Sequence, residues 1–224
     1  MDMTVTALEP YPKGKGRTAI YLNDKFAFVL YKGELSQYGL EVGVTVDDEL
    51  YSRIMNETVF LRAKKRAMNL LQKMDRSEAD IRRKLSDGGY PPEAVDVAVE
   101  YIRSYGYIDD LRYAKEYIRA KASTTSRRQI SMKLYEKGIS KDVTQEAFRQ
   151  YEDENGPEDS GEAQTVARLI NKRCPNGINS LDYEGRQKLF AYLYNKGFSG
   201  TVIEEVYSSI DQNQSGDGSV IDFD

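Results

Sequence analysis

The chain has 224 residues, 40% of them hydrophobic and 30% charged, with a net charge of -4, a single cysteine and no histidine. No apolar run approaches the ~18 residues of a membrane span. Cys174 has no partner for an internal disulfide, and without histidine there is neither a Ser-His-Asp or Cys-His catalytic group nor a His/Cys zinc cluster.

Residues 1–58 carry a β texture. Short β-branched and aromatic runs at 4–8, 17–22 and 26–31, the last two separated by Asn23-Asp24-Lys25, predict a small meander. The loop Gly14-Lys15-Gly16-Arg17-Thr18 lacks the spacing and the following helix of a phosphate loop, and reads as a mobile basic β-loop. After Gly33, residues 34–38 with Gly39 as a stop predict one short helix, and 47–54, capped by Asp47 or Asp48, another. Three short strands bury little alone, so this segment is expected to pack against the first helical repeat.

From residue 59 the pattern becomes helical and repeats. Setting Leu85, Leu134 and Leu193 in register aligns Gly89, Gly138 and Gly197, then Tyr90, Ile139 and Phe198. Upstream lie Ile81, Ile130 and Leu189; downstream lie Ala94, Val143 and Val202, then Ala98, Ala147 and Val206, at helical spacing. First helices carry the stripes Ala67/Leu70/Leu71/Met74, Ala114/Tyr117/Ile118/Lys121 and Ala163/Val166/Ala167/Ile170. Ser77 with Asp80, and Ser126 with Gln129, have capping-box spacing, whereas the third copy has Gly185 at that place.

The expected fold is therefore mainly α. It is an elongated tandem array of three helix-turn-helix-like three-helix repeats at 59–107, 108–155 and 156–210, preceded by a small β-rich segment at 1–58. The acidic stretch 152–162, with Gly156-Pro157, reads as a hinge, and 211–224 as an acidic disordered tail.

Charge is segregated: residues 59–141 hold 19 Lys and Arg against 11 Asp and Glu, while the remainder is acidic by about 12. Arg82, Arg83 and Lys84 in the second helix of repeat one, and Arg127, Arg128, Lys133 and Lys137 in that of repeat two, flank the buried Ile/Leu pairs, so their heads should face solvent. With Arg62, Lys64, Lys65 and Arg66 they are expected to form a basic strip for a phosphate backbone or an acidic groove. The alternative is a solvated helical surface.

The third helices, with Glu93, Asp96, Glu100, Glu204 and Glu205, would be repelled by phosphates, which argues against base reading by a recognition helix. Of the 17 tyrosines, those at helix ends such as Tyr105 and Tyr107 read as amphipathic core edges before base-stacking platforms. Asp211, Asn213, Ser215, Gly216 and Asp222 fall at calcium-loop spacing, but the eighth position is Gly218 and no exit helix comes after it, so no metal is expected. No cofactor and no catalytic residue is expected, and the expected location is the cytoplasm.

Ala67-x-x-Leu70-Leu71, Ser77-x-x-Asp80-Ile81-x-x-x-Leu85, the junction Tyr107-Ile108-Asp109-Asp110-x-x-Tyr113-Ala114 and "KLYEKGI" at 133–139 resemble the RecX family of bacterial regulators over residues 59–210. "YLNDKFAFVL" at 21–30 and "LSQYGLEVG" at 35–43 are similar to the extension of its longer members. The resemblance implies a monomeric, non-enzymatic protein that binds the RecA recombinase filament, with single- or double-stranded DNA inside it. It implies a limit on filament growth, ATP hydrolysis and strand exchange, and so a part in recombination, repair and the SOS response. A direct nucleic-acid binder with no recombinase partner, and a plain scaffold, stay open as alternatives.

Overall fold

A computed structural model describes residues 2–215, and the chain divides into two compact units, Met1–Asp109 and Asp110–Asp224. In the first, β1 (Met3–Pro10), β2 (Arg17–Leu22), β3 (Lys25–Tyr31) and β4 (Thr45–Val46) form an antiparallel sheet in the order β3-β2-β1-β4. The β2–β3 loop is Asn23 and Asp24, with φ of 48° and 63°, the left-handed pair that matches the twist of a tight hairpin. β4 was not foreseen: two residues pairing with Met3 and Thr4 are too short to show an alternation.

Helix α1 (Lys32–Tyr38) comes directly after β3. Helix α2 (Asp48–Ile54) is capped by the Asp47 carboxylate, which accepts from the Leu50 amide at 2.7 Å. A single π turn, Met55–Val59, then carries the chain into α3 (Phe60–Leu71), so one helical run crosses the boundary expected at 58/59. After α4 (Glu78–Ser86) and α5 (Pro92–Ser104) the first unit is complete. Its core is one buried cluster in which Val5, Ile20, Phe28 and Leu30 of the sheet join Ala63 and Ala67 of α3, Ile81 and Leu85 of α4, and Ala98 and Ile102 of α5. Met74 departs from its expected stripe: α3 stops at Leu71 so that the chain can turn and place Ser77 at the next cap, and Met74 is 58% exposed.

The second unit holds α6 (Asp110–Lys121), α7 (Arg127–Glu136), α8 (Lys141–Ser160), α9 (Glu162–Arg173), α10 (Tyr183–Asn195) and α11 (Gly200–Ser215). Ala114, Ile118, Ile130, Leu134, Ile139 and Phe148 form one core; Val166, Leu169, Ile170, Leu189, Leu193, Phe198 and Ile203 form another. The two adjoin through specific bonds: Gln129 Nε2 donates to the Asn195 carbonyl at 2.8 Å, Thr165 Oγ1 to that of Ala122 at 3.1 Å, and the Arg127 amide to Glu162 at 2.7 Å.

Four expectations change in this unit. The acidic 152–162 stretch is helical except at Gly156, whose φ of 75° and ψ of 159° break α8 where the hinge was expected, and at Gly161, the extended residue between α8 and α9. The buried face of α9 is Thr165, Val166, Leu169 and Ile170, leaving Ala163 exposed, because the helix turns its larger aliphatics inward. Helix α10 starts one turn earlier than the repeat register implied, with the Asp182 carboxylate accepting from the Gly185 amide at 2.7 Å, so the third copy does have a cap. Finally, α11 continues to Ser215 and Asp211 approaches Arg186 at 3.3 Å, so the first residues of the expected tail are helical; the rest of that tail and of the calcium-spaced residues lies outside the described residues.

Candidate basic interaction surfaces

The four basic residues at 62–66 of α3 are dealt around the helix, since each residue rotates by about 100°. Arg62 points inward: its guanidinium donates to both Glu34 oxygens at 3.0 and 2.7 Å and to the Val29 carbonyl, with 19% of its side chain exposed. Lys64 lies 5.2 Å from the centroid of the Tyr101 ring, a cation–π contact. Lys65 and Arg66 are exposed and have no ion-pair partner among the described residues.

On α4 the basic run is largely spent on acids. Arg82 binds Glu78 at 2.8 Å and Asp96 of α5 at 2.6 Å, Arg83 binds Asp80, and Asp80 also accepts from Arg76 at 2.6 Å. Arg103 completes the cluster on Glu78. Burial pushes the Glu78 carboxyl up, but hydrogen bonds and charge from Arg82 and Arg103 outweigh it and hold the group below its ordinary value; Asp80 is held down in the same way, with Arg76, Lys84 and Arg83 opposing its burial. Lys84 makes no ion pair among the described residues.

In the second unit Arg127 binds Glu152 and sits 4.3 Å over the Phe148 ring, and Lys133 binds Glu136 at 2.8 Å. Lys137 lies 5.9 and 5.8 Å from the Tyr113 and Tyr117 centroids. Arg128 has no ion-pair partner among the described residues. Arg127 and Arg128 open α7, whereas Arg82, Arg83 and Lys84 fall in the second half of α4, so the basic runs do not occupy matching helical positions. What Arg82 and Arg127 share is an acid on the third helix of their own repeat, Asp96 and Glu152. Of the acids that argued against base reading, Asp96 is thus used internally.

The structure also assembles a basic cleft that sequence reasoning missed. Lys13 of the β1–β2 loop and Arg17 at the start of β2 meet Arg66, Lys73 and Arg76 from α3 and beyond it, and Lys84 of α4, around a space of about 690 Å³ that includes Tyr31, Leu70, Asp87 and Tyr90. The expected mobile loop is docked: the Tyr11 hydroxyl donates to the Asp87 carbonyl at 3.0 Å, and Arg17 donates to the Lys13 carbonyl at 2.9 Å and to that of Gly88. Only the coincidence of lysines near both turns could have hinted at it.

Tyr105 and Tyr107 are exposed and stack on one another, centroids 5.7 Å apart. Among the described residues no group of three or more His, Cys, Asp or Glu could hold a metal ion, and no helix is long and apolar enough to cross a membrane.

Residues 63–101, 109–147 and 161–207 match, in that order, the first, second and third three-helix domains of RecX. The regulatory protein RecX of Clostridium acetobutylicum is 27% identical over 211 residues, covering 92% of this chain and 98% of the relative. That of Clostridium botulinum is 26% identical over 204 residues, covering 90% and 93%. A crystal structure of a regulatory protein RecX superposes with a TM-score of 0.56 at 29% identity, over 92% of this chain and 99% of the other. A crystal structure of RecX from Lactobacillus salivarius, 20% identical over 68% of this chain and 97% of the other, shares the fold with the same TM-score.

Proposed function

The chain belongs to the RecX family of regulatory proteins, and from that premise we propose that it regulates by binding the RecA recombinase filament on DNA. In this reading it limits filament growth, ATP hydrolysis and strand exchange, acts as a monomer in the cytoplasm, and performs no chemistry of its own. The observation that carries the reading is the presence of all three RecX three-helix domains in chain order.

In this reading the basic residues divide by role according to their ion pairs. Lys65, Arg66, Lys84 and Arg128, with no ion pair among the described residues, supply the contacts to the filament. Arg62, Arg82 and Arg127 hold helices to one another through Glu34, Asp96 and Glu152, while Arg83 and Lys133 pair with acids on their own helices. Lys64 and Lys137 rest on tyrosine rings and present their charge at the rim. Rim cations act chiefly through long-range attraction, which speeds docking and weakens with salt.

The test is to add the purified protein to RecA on single-stranded DNA and follow ATP hydrolysis and filament length. Both should fall, and the paired substitution Lys65→Glu with Arg128→Glu should raise the concentration needed by about fivefold or more while leaving helicity intact. No change in either readout at saturating protein would refute the reading. Tight, salt-dependent binding to naked DNA with no effect on RecA would favour direct nucleic-acid binding instead.

A further inference from the structure

We propose that the cleft between the β1–β2 loop and the first three-helix unit is a binding site for the clustered phosphates of a small ligand, a triphosphate group whose attached base, if there is one, stays outside. The inference shares Arg66 and Lys84 with the filament surface proposed above but does not require a recombinase partner.

Three observations carry it. The first is an excess of cations over acids. Of the cations lining the cleft, Arg76 is spent on Asp80 at 2.6 Å and on the Leu70 carbonyl at 3.2 Å, Arg17 on two carbonyls, and Lys13 lies 3.5 Å from Asp87. Arg66, Lys73 and Lys84 are left with no ion pair among the described residues, and Asp87 is the sole acid lining the cleft. A concave wall that includes Leu70 and Tyr90 excludes water on one side and concentrates the positive potential.

The second is rigidity. The loop is tied to the α4–α5 turn by Tyr11 and Arg17, and the approach is so close that a Cβ on Gly89 would stand 2.5 Å from Val29 Cγ2 and 3.0 Å from the Tyr11 ring. Both walls are therefore in place before any ligand arrives, which lowers the ordering cost of binding.

The third is what the lining lacks. It contains no Asn or Gln to read a base edge. The Tyr31 ring, 43% exposed, lies under Arg17 at 6.0 Å and Arg62 at 5.1 Å, and the Tyr90 hydroxyl donates to the Arg62 carbonyl at 3.4 Å, so a base stacking here must compete with arginine. Lysine and arginine together suit phosphate oxygens, lysine as a point charge and arginine as a fork. Charges gathered in one cleft match condensed phosphates better than a strand that carries a single charge per nucleotide step.

Isothermal titration of the full chain with tripolyphosphate at low ionic strength tests this, with ATP and a thymine 15-mer as parallel arms. Tripolyphosphate should bind and raise the thermal midpoint, ATP should bind within about threefold of it, and the 15-mer more weakly. Lys73→Glu with Lys84→Glu should lose about tenfold or more in affinity, whereas Lys188→Glu, on α10 and outside the cleft, should bind as the parent does. Should the charge reversal disturb folding, Lys73→Gln with Lys84→Gln, checked by circular dichroism, carries the same prediction with a smaller loss. The proposal is overturned if tripolyphosphate does not bind, if both lysines can be changed with affinity unaltered, or if the 15-mer binds through these lysines and tripolyphosphate does not.

Discussion

Gly89 and Gly106 both have positive φ, 81° and 67°, yet their surroundings differ. A side chain at Gly89 would collide with Val29 and Tyr11, while nothing lies within 4 Å of a Cβ on Gly106. Gly106→Ala should therefore cost only the backbone term, about 1 kcal/mol. Gly89→Ala should cost about 3 kcal/mol, since the sheet and the turn must move apart; urea denaturation of the two variants measures the difference. A second residue with a distinctive signature is Glu78. Its carboxyl lies below the ordinary 4.5 in the folded chain because Arg82 and Arg103 overcome its burial, so the unfolded chain binds the proton more readily. Its stabilising contribution is complete above that ordinary value and is lost as pH falls through the lower folded one. Glu78→Gln should cost about 1 kcal/mol near neutrality and flatten the acid limb of the stability profile, measured by denaturation at a series of pH values.

At the level of single helices, the caps carry the next expectation. Ser77 and Ser126 are 1% and 0% exposed, and each accepts from the amide three residues on at 3.2 Å. Replacing either by alanine should cost about 1 kcal/mol, and Asp182→Ala should cost a similar amount, read from thermal or urea midpoints. These helices were legible because local rules wrote them: an apolar stripe at i, i+3, i+4, a cap before it and a glycine after it. The elements that escaped are those without a local rule. β4 has two residues and exists because Met3 and Thr4 offer it an edge. The π turn at Met55–Val59 looks like any helix in sequence, and the early start of α10 was hidden by forcing the third copy into the register of the first two. Surface chemistry obeyed the same division. Side chains of the right charge were visible, but Arg82 finds Asp96 fourteen residues away across a turn, and Lys13 meets Lys84 only through the fold.

For the molecule as a whole, the two units have separate buried cores, the first joining sheet and helices and the second holding two adjacent clusters. A fragment ending at residue 109 should thus fold alone with a cooperative transition, as a body of this size with its own core does, checked by circular dichroism and amide dispersion in NMR. Leu134→Asp, a buried carboxylate with no partner in the α6–α8 core, should cost several kcal/mol and remove the helical signal of the second unit while leaving that of the first.

The unbroken helical run from α2 through the π turn into α3 limits where this gene product can be cut. Deleting the first 58 residues would not detach an accessory. It would sever a helix in mid-course, bare Val59, which is 1% exposed in the intact chain, and strand the Arg62 guanidinium by removing both Glu34 and the Val29 carbonyl. A shorter homologue that dispenses with the sheet would have to repaint that flank of the helix with water-loving side chains, and the residue at the place of Arg62 is where such a rewrite should show first.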